Sequence, residues 1–332
     1  MLTKQMPIGS GFGAASTTDE VIEGINLSGK TAIVTGGYSG LGLETVRSFC
    51  SAGATVIIPA RDYDKAADAV KGLHKVEIER MDLLDSASID SFAEKFLDSG
   101  RPLNILVNSA GIMALPQLTL DKRGYEYHFA TNHLGHFQLT LRLLPALRKA
   151  NGARVVSVSA RAHQLSGVFF DDLDFEHREY RPMLGYAQSK TANILFATGL
   201  DAREKANGVR AFSLHPGSIA STDLGRNFTP EQLKAFGVID GHGQPIIDPK
   251  NDRKNIKQGA ATQVWCATSP QLEGMGGLYC QDVDVAPLAQ PDEKMNLSDI
   301  SSTRLAGVMP YAVDIDAANR LWEMSEHLVF GR

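Results

Sequence analysis

From Lys30 onward, short runs of apolar residues alternate with segments whose apolar positions recur at helical spacing. Residues 31–35, 54–60, 76–81, 103–108, 154–159 and 209–214 are compact apolar runs bounded by polar or glycine positions. They predict six strands, with 277–280 as a short seventh. Between them, 40–51 carries Leu41, Val46 and Phe49, 86–98 carries Ile89, Phe92, Phe96 and Leu97, and 185–206 carries Ile194, Leu195 and Leu200. Those spacings predict helices. Strands alternating with helices imply parallel βαβ units, and wholly apolar strands imply a sheet covered on both faces. The expected fold is a single α/β domain on a doubly wound parallel sheet of about seven strands.

Two stretches break this rhythm. Residues 163–184 are rich in acids and aromatics, and 225–257 carry many Gly, Pro, Asp and Asn around one helical candidate, 230–236. Both are long for simple connections and read either as functional loops or as surface decoration. A hydrophobic content of 43% suffices for one large core, and a net charge of −5 offers nothing to nucleic acid or an anionic membrane. Cys50, Cys266 and Cys280 are odd in number and without metal-ligand spacing, so neither a disulfide framework nor a metal site is expected. With no signal-like start and no apolar run long enough to span a bilayer, the expected setting is cytoplasmic.

The chemistry begins at Thr35-Gly36-Gly37-Tyr38-Ser39-Gly40-Leu41-Gly42, between the first strand and its helix. Glycines there permit a tight turn and close approach of a pyrophosphate, which amides at the helix start would hold. The second strand ends Ala60-Arg61-Asp62. An acid near this point takes ribose hydroxyls in NAD sites, whereas an arginine accommodates a 2′-phosphate, so Arg61 favours NADP. The bland alternative makes Arg61 a solvated strand-end charge and Asp62 a helix cap. Tyr186 and Lys190 are spaced i, i+4 on one helical face. An ordinary phenol ionises near pH 10, and a neighbouring ammonium lowers that value, which would let Tyr186 exchange a proton with a substrate oxygen.

Taken with Asp82-Leu83, Asn108-Ser109-Ala110-Gly111, Asn132-His133-Leu134-Gly135-His136 and His215-Pro216-Gly217, these motifs resemble the short-chain dehydrogenase/reductases. The branch most similar is the retinol-dehydrogenase-like and WW-domain-oxidoreductase-like one, over about 27–286. The resemblance implies a Rossmann fold and an NADP(H) cofactor. It places Gly36, Tyr38, Ser39, Gly40, Leu41 and Gly42 at the pyrophosphate, and Arg61, Asp82 and Leu83 at the adenosine. Asn108, Ala110 and Gly111 fall beside the adenine ribose and support the central sheet, with Ser109 where the motif usually has Asn. Lys190 would also bind the nicotinamide ribose, Asn132 would hold a relay water, and Pro216, Gly217 and Thr222 would flank the carboxamide. Residues 1–26 then form an N-terminal extension, and 287–332 a C-terminal one completing the substrate pocket. The helices near 124–144 and 185–206 are the family's usual homodimer surfaces, which C-terminal extensions can obstruct.

The family's fifth strand usually ends in two serines, the second of which hydrogen-bonds the substrate oxygen; alignment places Ala160 there. Three explanations compete. The chain is a serine-to-alanine variant made inactive; or Ser159 substitutes through a shifted strand end, although adjacent strand residues face opposite ways; or the protein manages with Tyr186 and water, or is no catalyst. The substrate pocket is expected to draw on Met113, Leu115, His163, Phe169, Met183, Phe228 and Tyr311, which suits a bulky, hydrophobic carbonyl or alcohol; each alone is more often ordinary core. Carbonyl–alcohol oxidoreduction therefore competes with a non-catalytic NADP(H)-binding regulator, for which Ala160 speaks, and with a lyase or isomerase using bound nicotinamide.

Overall fold

The computed structural model describes residues 4–290 and 307–331. A short helix α1 (Thr18–Ile22) precedes β1 (Thr31–Val34), α2 (Gly40–Ser51), β2 (Thr55–Ala60), α3 (Tyr63–Ala69), β3 (Val76–Arg80), α4 (Ser86–Asp98) and β4 (Ile105–Asn108). Then follow α5 (Gly135–Lys149), β5 (Ala153–Val158), α6 (Pro182–Glu204), β6 (Val209–His215), α7 (Pro230–Ala235), α8 (Ile256–Thr268), β7 (Leu278–Gln281), β8 (Asp284–Val285) and α9 (Ile315–Phe330).

The strands form one sheet in the order β3-β2-β1-β4-β5-β6-β7-β8, parallel except for the antiparallel β7–β8 pair. The chain order reverses between β1 and β4, and such a switch point opens a crevice beyond the carboxyl ends of those strands. Every residue of β1 and β4 is buried, as expected for a sheet covered on both sides. On one face Val46 and Phe49 of α2 and Val264 and Trp265 of α8 pack against it. On the other, Phe92 and Phe96 of α4, Leu143 of α5 and Phe196 of α6 do so. Helix starts are chemically marked: Asp62 caps α3, Asp85 caps α4, and Asn255 and Gln258 form a capping box on α8.

Strand and helix bounds depart from expectation by a few residues at most. The helix expected over 185–206 starts earlier, because Pro182 occupies its first turn, where the missing amide costs nothing. An eighth strand, β8, was not expected; it is only two residues long and follows a turn with positive φ at Asp282 and Val283.

The extensions brace the domain. Gln5 donates from Nε2 to the carbonyls of Tyr279 (2.7 Å) and Ala286 (2.6 Å) and accepts from the Tyr279 amide at 3.0 Å, clamping the N-terminal segment to β7. Helix α9 buries Ala318, Leu321 and Trp322, with Trp322 stacked on Phe196 and edge-on to Phe137. The C-terminal extension was expected to complete the pocket, but its described residues sit behind α6 and line none of the cleft; residues 291–306 of it lie outside the described residues. Among the described residues no helix is long and apolar enough to cross a membrane.

Candidate active site

A cleft of about 670 Å³ lies above the strand ends. At its floor Gly36 adopts φ +66°, and a Cβ there would stand 3.1 Å from the Ala110 Cα. A Cβ on Gly42 would fall on the Gly36 carbonyl, so this turn requires glycine. Ser39 occupies the N-cap of α2 without capping it through its side chain, leaving first-turn amides and the positive helix end toward the cleft. Thr35 Oγ1 ties the turn to β4 by accepting from the Ser109 (2.9 Å) and Ala110 (3.0 Å) amides. It lies 2.9 Å from His136 Nε2, while His136 Nδ1 lies 2.9 Å from the Asn132 carbonyl. That carbonyl requires a proton on Nδ1, so Nε2 accepts the Thr35 hydroxyl proton. Burial holds His136 neutral, pushing its pKa down to about 4.

Gly36, Tyr38, Ser39, Gly40, Leu41, Gly42, Arg61, Asp82, Leu83, Ala110 and Gly111 all border this cleft. Arg61 is exposed at the end of β2 and makes no ion pair among the described residues. Asp62 instead accepts from the Lys65 amide at 3.0 Å as the cap of α3. Lys65, missed in the sequence, joins Arg61 on the cleft wall. Asn108 is placed differently: it is fully buried, donates to Thr140 Oγ1 at 3.2 Å, and does not reach the cleft. Bracing β4 against α5, it serves the sheet-supporting part of its expected role. Thr131 was also missed; the residue borders the cleft, and its Oγ1 is buried without a partner among the described residues.

Tyr186 and Lys190 face the cleft one turn apart on α6, with Lys190 Nζ 5.6 Å from the phenol ring centroid. Lys190 Nζ donates to the Val158 carbonyl at 3.0 Å. Burial alone pushes the Tyr186 phenol above its usual range and the Lys190 ammonium down to about 7. Burial thus moves the phenol opposite to the lowering expected from the sequence, because desolvation penalises the phenolate. Asn132 lies in a π-helical turn, Phe129–Leu134, that leads into α5. Its Nδ2 donates to Ser189 Oγ (2.9 Å) and the Ile112 carbonyl (3.1 Å), and its Oδ1 accepts from the Ile112 amide. A Cβ on Gly111 would meet both Asn132 Oδ1 (3.2 Å) and Lys190 Nζ (3.5 Å), so these groups border one small space.

The end of β5 corrects one sequence reading. Ser159 and half-buried Ala160 both border the cleft, but Ser159 is buried and its hydroxyl is committed to the Lys190 carbonyl at 2.7 Å. Alternation along the strand sends the two side chains opposite ways, so Ser159 does not replace the missing hydroxyl.

At the substrate end Met113, Met183 and Phe228 line the cleft, and Asn227 Nδ2 donates to the Met113 carbonyl at 2.8 Å, latching the 225–257 loop. His163, Phe169 and Tyr311 do not line it. His163 is wholly buried, its Nδ1 2.8 Å from the Ala160 carbonyl, and burial lowers its pKa to about 3. Tyr311 donates to the His163 carbonyl at 2.6 Å, and Phe169 lies beneath the Arg178 guanidinium. All three pack in and against the 163–184 stretch instead. Leu115 is held by its backbone, its amide donating to His128 Nε2 and its carbonyl accepting from Tyr180. Pro216, Gly217 and Thr222 border the cleft after β6.

His215, just before them, donates from Nε2 to Asp252 at 2.8 Å and accepts from the Arg161 amide at 3.0 Å. Burial alone would raise the Asp252 carboxyl, but His215, Arg161 and Lys254 outweigh it and hold the group well below the usual carboxylate range. Asp252 thereby ties the long loop to the ends of β5 and β6. Nothing in the sequence signalled this pairing across 37 residues.

A family model described as short chain dehydrogenase matches residues 30–233. The chain is 43% identical over 304 residues to a Streptomyces lividans protein named "Probable oxidoreductase", spanning 90% of this chain and 97% of that one. It is 33% identical over 334 residues to the WW domain-containing oxidoreductase of Homo sapiens, spanning 96% and 72%. A crystal structure of an uncharacterized protein from Mycobacterium paratuberculosis is similar with a TM-score of 0.69 at 31% identity, over 95% of this chain and 97% of that one.

Proposed function

The chain belongs to the short-chain dehydrogenase family, and from that premise we propose an NADP(H)-dependent oxidoreductase that interconverts a carbonyl and an alcohol on a bulky, largely hydrophobic molecule. The observation that carries this is the convergence of the Tyr186 phenol and the Lys190 ammonium on a cleft whose other end is the glycine turn. The residues present fit a dinucleotide. The turn closes only with glycine at Gly36 and Gly42, which brings the backbone to the cleft, and the first-turn amides of α2 lack a side-chain cap. When bound, the dinucleotide supplies or accepts the hydride.

This chain's own residues handle the proton. A buried phenol held above its usual range stays protonated, which suits Tyr186 to donate to a carbonyl oxygen as negative charge develops. Protonated Lys190 then stabilises the phenolate left behind, and the space shared by Lys190 Nζ and Asn132 Oδ1 suits a water that returns the proton. Arg61 and Lys65 favour a 2′-phosphate, since Asp62 is committed to capping α3.

Fluorescence titration with NADPH and NADH, followed by cofactor oxidation against a panel of hydrophobic ketones and aldehydes, tests both parts. NADPH should bind more tightly, and Arg61→Ala should remove that preference while sparing NADH. Equal binding of the two in the parent sinks the NADP assignment. A second reading, a non-catalytic NADP(H)-binding regulator, is favoured by the Ala160 methyl; tight NADPH binding without turnover of any carbonyl supports it.

A further inference from the structure

We propose that Arg253 makes the substrate end of the cleft an anion-recognising subsite, so that the preferred substrates are apolar oxo acids, or the matching hydroxy acids, rather than neutral carbonyl compounds. This rests on the oxidoreductase reading only for the word substrate; the anion site stands on its own geometry.

Arg253 lies in the 225–257 loop, paired by backbone bridges to Asp248 and to Ser218, the residue after Gly217. The Ser218 pairing fixes it beside the end of β6, on the far side of the sheet's switch point from Arg61 at the end of β2. Its side chain runs under the C-terminal end of α7, where a Cβ on Gly237 would stand 2.6 Å from a guanidinium nitrogen. Gly237, at φ +63°, thus leaves the space the arginine fills. Around it, Phe228, Leu233, Phe236 and Val238 contribute apolar wall.

A guanidinium carries five N–H donors and no acceptor. Half-buried in such a wall, it loses water that something must replace. Among the described residues it has no hydrogen bond or ion pair. The loop's acids are engaged elsewhere: Asp252 with His215 and Arg161, Asp248 with Asn251, Asp240 with the His242 and Gln244 amides, and Glu231 with Thr229 at the start of α7. The donor fork matches a carboxylate, and the surrounding walls match an alkyl or aryl body. A molecule presenting both would place its carboxylate at Arg253 and leave its oxo group for Tyr186.

The test compares binding of 6-phenylhexanoate with that of its neutral primary amide, by calorimetry, on the chain alone and with NADP+. The acid should bind at least about tenfold more tightly than the amide, as expected for a charge-assisted hydrogen bond. Arg253→Gln should erase that advantage and Arg253→Lys should keep part of it, with melting curves checking that both variants fold. No advantage in the parent, or the same advantage in Arg253→Gln, overturns the proposal. Weakened NADP+ binding in Arg253→Gln, with the acid's advantage intact, also overturns it by assigning the arginine to the cofactor. Turnover of an aryl oxo acid and its methyl ester separates the two layers. Acid binding without any turnover sinks the oxidoreductase reading and keeps the subsite, whereas equal turnover of acid and ester sinks the subsite and keeps the enzyme.

Discussion

Replacing Ala160 by serine should raise turnover, and the structure sets how much. The Ala160 backbone is extended, at φ −157° and ψ 159°. It is pinned because its carbonyl accepts from the His163 amide at 3.1 Å and lies 2.8 Å from His163 Nδ1. The Cβ therefore keeps its direction toward the cleft, and a cavity of about 670 Å³ accommodates one more oxygen without displacing a wall. An added hydroxyl would give the developing oxyanion a donor it lacks, and Ser159 does not compete because its hydroxyl is bound to the Lys190 carbonyl. Such donors are worth on the order of 10²–10³ in kcat, about 2.7–4 kcal/mol of transition-state stabilisation. The ground-state carbonyl is a weaker acceptor than the oxyanion, so KM should move much less than kcat. Steady-state NADPH oxidation with saturating carbonyl substrate reads this directly. A kcat in Ala160→Ser equal to or below the parent's, in a protein with an unchanged melting curve, refutes the reasoning.

Asp252→Asn removes the charge that holds the long loop to His215 and Arg161, and should raise KM more than it lowers kcat, since Tyr186 and Lys190 are untouched; an unchanged KM counts against a positioning role. Stability should also fall on acidification. Burial holds His133, His136 and His163 neutral, with pKa values pushed down to about 3, 4 and 3, against an unfolded value of about 6.5. Between those limits the unfolded chain binds protons the folded one does not. The contribution is therefore fully present above pH of about 6.5 and is lost as pH falls toward the folded values. Melting temperatures from pH 7 to 4.5 check it, and a Tm that holds or rises over that range contradicts the buried neutral state.

The sheet was legible because each strand is an apolar run closed by glycine or charge, as in Thr31–Val34 before the Gly36 turn. Helix α8 was less so: buried nearly all round, it lacks an amphipathic stripe, although the Asn255–Gln258 capping box was a usable signal. At the site, short-range patterns carried the phosphate turn and the Tyr186–Lys190 pair. The substrate end did not yield to the same treatment. Whether His163 or Phe169 faces the cleft or the interior depends on which side of an irregular loop is packed, and local spacing does not encode that. The Asp252 contact depends on a left-handed residue, φ +64°, bringing distant segments together, with no periodicity to announce it.

The most direct measurement is the turnover of Tyr186→Phe alongside its affinity for NADPH. The ring still packs in its buried place on α6, so NADPH should bind much as before while carbonyl reduction falls by at least about 10²-fold, the usual contribution of a positioned proton donor. Parental turnover in a folded, NADPH-binding Tyr186→Phe protein would show that the phenol does not carry the proton.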